Sequence, residues 1–131
     1  DIFPTLLKMS NINMVDDRII DGISIKNTLL NHDPSKREKI LFYRSREIYA
    51  VRYKEYKAHF ITQGAYNYPP GSNKKIILNK PLLYNLNVDP SEKYNIAEKN
   101  PEVIKKIKTI IVKHKKNLNA PEDLLKHRSF W

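Results

Sequence analysis

The sequence has no cysteine and only three glycines among its 131 residues. Without cysteine there is no disulfide framework, no thiolate metal site and no cysteine nucleophile. With so few glycines, a glycine-rich phosphate loop cannot be assembled. No apolar run approaches the ~20 residues that a membrane-spanning helix needs, so no membrane span is expected. The chain also opens at Asp1 without a methionine, and no charged segment followed by an apolar one comes after it. We read this start as that of an excised or incomplete product, whose targeting signal would lie upstream.

What is abundant is positive charge. Lys and Arg number 24 against 14 acidic residues, a formal net charge of +10. Such an excess draws a protein toward polyanions, whether nucleic acid, sulfated glycans or anionic membrane surfaces. Here the basic residues are scattered and are densest on one amphipathic stretch, where a solvated helix face accounts for them. No helix-turn-helix, RNP-like or zinc-finger pattern accompanies the charge, so nucleic acid is not the expected partner. The 40% hydrophobic and 29% charged composition is that of one globular domain.

Along the chain, residues 1–9 read as a short helix entered through Pro4, with Ile2, Phe3, Leu6 and Leu7 on its apolar side. Residues 10–31 read as a connecting segment, with Asp21-Gly22 as a turn. From Lys39 onward, Ile40 to Tyr43, Ile48 to Tyr53 and Tyr56 to Ile61 are rich in aromatic and β-branched residues, as antiparallel strands are. Lys54-Glu55 leaves room for a two-residue hairpin, although glycine or asparagine would carry a positive φ at lower cost. Residues 63–80 carry loop chemistry, and Pro81 to Leu86 is the expected fourth strand. Asp89-Pro90-Ser91-Glu92 has the cap, proline and acidic residue that favour a helical turn.

Asn100-Pro101-Glu102 opens the clearest helix, expected over 101–118 with Asn100 as its cap. Val103, Ile104, Ile107, Ile110 and Ile111 share one side of it, and the lysines fall mostly elsewhere. The expected fold class is therefore α+β, a sheet of about four antiparallel strands packed by the C-terminal helix.

Little here carries chemistry by itself. His32, His59, His114 and His127 have no metal-ligand spacing. Three of them read as surface residues. His59 stands apart, because a strand places it just before a long loop, where an imidazole can be aimed at an anion. The serines lie in no nucleophile elbow, and the carboxylate pairs Asp16-Asp17 and Glu122-Asp123 are sequence neighbours that diverge on regular structure. The residues alone describe a binding or packing module without a complete catalytic set.

A series of short patterns adds to this. Asp1-Ile2-Phe3-Pro4-Thr5, Asp21-Gly22-Ile23-Ser24, Val51-Arg52-Tyr53-Lys54-Glu55-Tyr56-Lys57, Tyr56-Lys57-Ala58-His59-Phe60, Leu83-Tyr84-Asn85-Leu86 and Asp89-Pro90-Ser91-Glu92 occur in an order that resembles the C-terminal end of sulfatases of the arylsulfatase A type. Two positions depart from the family pattern: Lys54 stands where glycine is usual, and Asn85 where aspartate is. The resemblance implies that residues 1–38 are the end of a catalytic-domain helix and its connecting segment. Residues 39–118 would then be the sulfatase C-terminal subdomain and 119–131 a tail.

The resemblance further implies a sulfuric ester hydrolase whose formylglycine nucleophile and calcium ion belong to an upstream catalytic domain. This chain itself would hold no cofactor and no metal. Its share would be packing against that domain and part of the substrate-pocket rim, with Lys57 and His59 binding the sulfate ester. Alone it is expected to be inactive. The resemblance also points to a secreted, periplasmic or lysosomal setting. The competing reading is a stand-alone basic module that binds a sulfated glycan or another polyanion. A third, an independent enzyme with His59 as acid or base, lacks a partner residue in the sequence.

Overall fold

The computed structural model describes residues 1–15, 17–64 and 70–118. The chain runs through helices α1 (Ile2–Met9) and α2 (Lys26–Asn31), then strands β1 (Lys39–Arg44), β2 (Glu47–Tyr53), β3 (Tyr56–Thr62) and β4 (Ile76–Asn85). A 3₁₀ turn (Ala97–Lys99) leads into the long helix α3 (Pro101–Asn117). The strands form one antiparallel sheet in sequence order, β1-β2-β3-β4. The α+β expectation thus holds: a four-stranded sheet carries a C-terminal helix, and a helical segment precedes it.

Alternation along the strands sends Val51, Ala58 and Leu83 to one face, where Ile104 and Ile107 of α3 meet them and Ile48 completes the core. Val51, Ala58, Leu83 and Ile107 are fully buried. A bulge between Phe42 and Tyr43 of β1 shifts the register on β2, and Ile48 joins Val51 in the core despite the odd spacing between them. His114, expected as a bare surface residue, lies 2.8 Å from the Tyr43 hydroxyl and ties the last turn of α3 to β1.

The two motifs within residues 1–38 meet in space. The Thr5 hydroxyl donates to the Asp1 carbonyl at 2.7 Å and accepts from the Ile25 amide at 3.0 Å, while the Asp1 carboxylate accepts from the Ile23 amide at 2.9 Å and from Arg37. A Cβ on Gly22 would lie 2.9 Å from Pro4 Cγ, closer than real carbon contacts come, so this turn takes glycine for its close approach to α1. Asp-Ile-x-Pro-Thr and Asp-Gly-x-Ser are two halves of one clamp. The apolar side of α1 faces outward, however: Ile2, Phe3 and Leu6 are 76%, 55% and 57% exposed.

Four local expectations are corrected. The fourth strand begins at Ile76 rather than Pro81. Lys74-Lys75 and Asn79-Lys80 read as loop, yet Ile76 and Ile77 pair with Thr62 and Ile61, and the register then slips before Leu82 meets His59. Pro81 is tolerated because β4 is an edge strand. The stretch read as a plain connector contains α2, which ends at His32 in the left-handed conformation (φ 58°). The Asn100 side chain does not cap α3; its amide donates to the Ile96 carbonyl at 2.9 Å. Finally, Asp89 to Glu92 forms a turn and no helix, for the reason given below. The tail 119–131, with His127 and Glu122-Asp123, and the first residue of the Asp16-Asp17 pair lie outside the described residues.

Candidate functional site

Lys57 and His59, two apart on β3, fall on the sheet face opposite α3. Across the ladder His59 is paired with Ala50 of β2 and Leu82 of β4, and Lys57 with Arg52 and Tyr84. Tyr84 meets the His59 ring edge-on, with centroids 5.8 Å apart, and the Lys57 ammonium stands 5.0 Å above the centre of the Phe42 ring.

Glu92 joins the two. Lys57 Nζ donates to Glu92 Oε1 at 2.6 Å, and His59 Nε2 lies 2.5 Å from Glu92 Oε2. The three side chains are only 20–25% exposed. Burial by itself pushes the Glu92 carboxyl up, but the hydrogen bonds from Lys57 and His59 and their charges outweigh it, so the carboxyl is held below its ordinary value of 4.5. The Tyr84 hydroxyl is pushed up, first by burial and then by the charges of Glu92 and Asp89.

The turn that delivers Glu92 is built by its neighbours. The buried Asp89 carboxylate accepts from the Lys93 amide at 3.1 Å and the Tyr94 amide at 2.8 Å, and the Glu92 amide donates to the Asp89 carbonyl at 3.2 Å. Glu92 sits at φ 56°, a left-handed conformation that ends the turn before a helix starts. Its carboxylate therefore goes to Lys57 and His59 instead of back to the cap, as a capping box would have it. Just beyond, Asn95 Oδ1 accepts from the Leu83 amide at 3.0 Å and the Ala97 amide at 3.1 Å, and the Ile96 amide donates to the Leu83 carbonyl at 2.8 Å. The segment after the turn is thereby pinned to the outer edge of β4.

The structure thus brings together both expected site residues, Lys57 and His59. It adds Glu92, whose Asp-Pro-Ser-Glu setting predicts a helical turn. The only signal for Glu92 was its place in the Asp-Pro-x-Glu pattern, and a capping role explains that spacing equally well. Asn85 Oδ1 accepts from the Asn87 amide at 3.0 Å. Ser35 is occupied within its own turn, where it accepts from the Arg37 amide at 3.2 Å. Among the described residues no group of three His, Asp or Glu side chains is placed to hold a metal ion. Nor is any helix among them long and apolar enough to cross a membrane.

Residues 35–131 match the family model described as the C-terminal region of aryl-sulfatase. The chain is 32% identical over 126 residues to arylsulfatase A of Homo sapiens, covering 84% of this chain and 25% of that protein. It is 28% identical over 138 residues to the N-acetylgalactosamine-6-sulfatase of Canis lupus familiaris, covering 90% and 26%. Among solved structures, a Bacteroides thetaiotaomicron protein from a locus for the metabolism of multiple glycosaminoglycans superposes with a TM-score of 0.69 at 28% identity, over 89% of this chain and 24% of that one. The PsFucS1 sulfatase from Pseudoalteromonas sp. shares the fold, with a TM-score of 0.71 at 23% identity over 92% and 26%. The chain spans about a quarter of the length of the curated relatives it matches. The motifs, the sheet they build and these likenesses agree: the chain belongs to the sulfatase family, as its C-terminal region.

Proposed function

We propose that this chain is the C-terminal subdomain of an arylsulfatase-type sulfuric ester hydrolase, that it packs on an upstream catalytic domain and that it lends Lys57 and His59 to the rim of the substrate pocket. The observation that carries the reading is the pairing of these two side chains on the face away from α3, fixed by one carboxylate. A sulfate ester carries one negative charge on oxygens that accept hydrogen bonds. An ammonium with two N–H groups left over and an imidazolium with one N–H left over are suited to it. The exposed apolar side of α1 supports a surface covered by the preceding domain. Formylglycine and calcium belong to that domain in this reading, as nucleophile and charge stabiliser.

The substrate would be a sulfate ester, and the relatives' names make sulfated sugars the first class to try. The test begins with the coding sequence upstream of Asp1, where an in-frame Cys/Ser-x-Pro-Ser/Ala-Arg motif is expected. In the enzyme expressed with that region, His59→Gln and Lys57→Met should each raise KM about tenfold or more, since each removes a hydrogen bond to a charged ligand worth about 1.5–3 kcal/mol. Unchanged KM and kcat in both variants would refute the rim role.

One observation favours a second reading, a basic module that binds polyanions. Lys36, Lys39, Lys106 and Lys113 line a groove between α3 and the segment leading into β1, and with Arg37 they outnumber its two acids, Asp21 and Glu38. Binding of a sulfated glycan that weakens steeply with added salt and survives His59→Gln would support it.

A further inference from the structure

Glu92 is a costly residue to place where it is. A non-glycine side chain at φ 56° is disfavoured, yet the Asp89 turn holds it there and aims its carboxylate at two cations or potential cations. The contact decides which imidazole nitrogen does what. Glu92 Oε2 accepts from Nε2, so Nε2 carries the proton of the neutral ring. Nδ1 has no partner among the described residues.

We infer that Glu92 is a positioning residue that reserves Nδ1 of His59 for an anion and makes binding of that anion proton-coupled. This deepens the rim reading above and rests on it for the identity of the anion, a sulfate group. In the neutral ring Nδ1 presents a lone pair, which repels a sulfate oxygen. Contact needs a second proton, taken from solvent onto Nδ1, after which the imidazolium donates to Glu92 through Nε2 and to the anion through Nδ1. Lys57 donates one N–H to Glu92 and keeps two for the same anion. Glu92 therefore balances the charge of Lys57 when the site is empty and supports the imidazolium when it is filled.

The groups around the ring leave this role to Glu92. On β3 the neighbour is Lys57. Tyr84 and Leu82 face the ring from β4, Ala50 and, diagonally, Arg52 from β2, and Phe42 lies next along the same face on β1. Arg52 Nε donates to the Lys54 carbonyl at 2.9 Å. Asp89, the other acid of the turn, has each carboxylate oxygen on a backbone amide. Among the described residues Glu92 is the one carboxylate hydrogen-bonded to the imidazole.

The experiment is ¹⁵N NMR of the His59 ring in the full chain, titrated with pH and with inorganic sulfate. The wild-type chain is expected to show a solvent-protected Nε2–H, with Nδ1 as the nitrogen that titrates. Sulfate affinity read at His59 should fall as the pH is raised. Glu92→Ala should lose the protected Nε2–H and Glu92→Gln, whose amide carbonyl still accepts, should restore it, with backbone amide spectra reporting that each variant is folded. A ring that titrates at Nε2, or sulfate affinity at His59 that ignores pH, overturns the proposal. A protected Nε2–H with no response of His59 to sulfate would uphold the hold by Glu92 and overturn the rim reading instead.

Discussion

The turn between β2 and β3 offers a sharp test of how backbone strain is stored in this domain. Lys54 occupies it at φ 54°, in the left-handed region. For an L-residue this conformation costs about 1–2 kcal/mol. Glycine avoids that cost but loses about 0.5–1 kcal/mol more chain entropy on folding, so a glycine here should be more stable than alanine by roughly 1 kcal/mol. The comparison is between Lys54→Gly and Lys54→Ala, because both remove the same side-chain contacts. Those contacts are a 3.9 Å pair with Glu38, whose partners are 51% and 65% exposed, and the ammonium 5.7 Å from the Tyr53 ring centre. Each is worth about 0–1 kcal/mol in solvent. Equilibrium urea unfolding, or a melting temperature about 4 °C higher for the glycine variant, reads the difference. Alanine equal to or better than glycine would refute the argument and show that the turn does not hold residue 54 in the left-handed region.

Two further expectations follow from the site and from α1. The Glu92 carboxyl is depressed in the folded chain, so its contribution to stability is fully present above its unfolded value of 4.5 and is lost as pH falls through the lowered midpoint. Lys57→Met should raise that midpoint and flatten the acid side of the stability curve by on the order of 1 kcal/mol, measured by denaturant unfolding across that window; an unchanged acid limb would dissociate Glu92 from Lys57. Triple replacement of Ile2, Phe3 and Leu6 by serine should lower self-association of the chain in sedimentation velocity without changing the sheet's circular dichroism, because the three are already exposed. Equal association of both forms would place the sticky surface elsewhere.

The periodicity of the sequence determined the elements with the most regular burial. Alternation at Val51 and Ala58, and the 3.6-residue spacing of Ile104, Ile107 and Ile111, reach the core because each element has one apolar face and only one way to hide it. The motif order likewise carried the family, since Asp1, Pro4, Thr5, Gly22 and Ile23 form a single clamp whose geometry admits few substitutes. The start of β4 was hidden, because an edge strand needs only one partner and tolerates the lysines, asparagine and proline that read as loop. Glu92 was hidden for a different reason. Asp-Pro-Ser-Glu is locally a helix start, and only the left-handed backbone at Glu92, held by Asp89 and by the Asn95 and Ile96 contacts to β4, turns its carboxylate toward β3. His59 could be nominated from its place on a strand before a long loop, and Lys57 from the family resemblance. That they share one carboxylate, 33 and 35 residues along the chain, was decided by tertiary structure, because a hydrogen bond over that separation depends on where two elements are packed and leaves no period in the sequence.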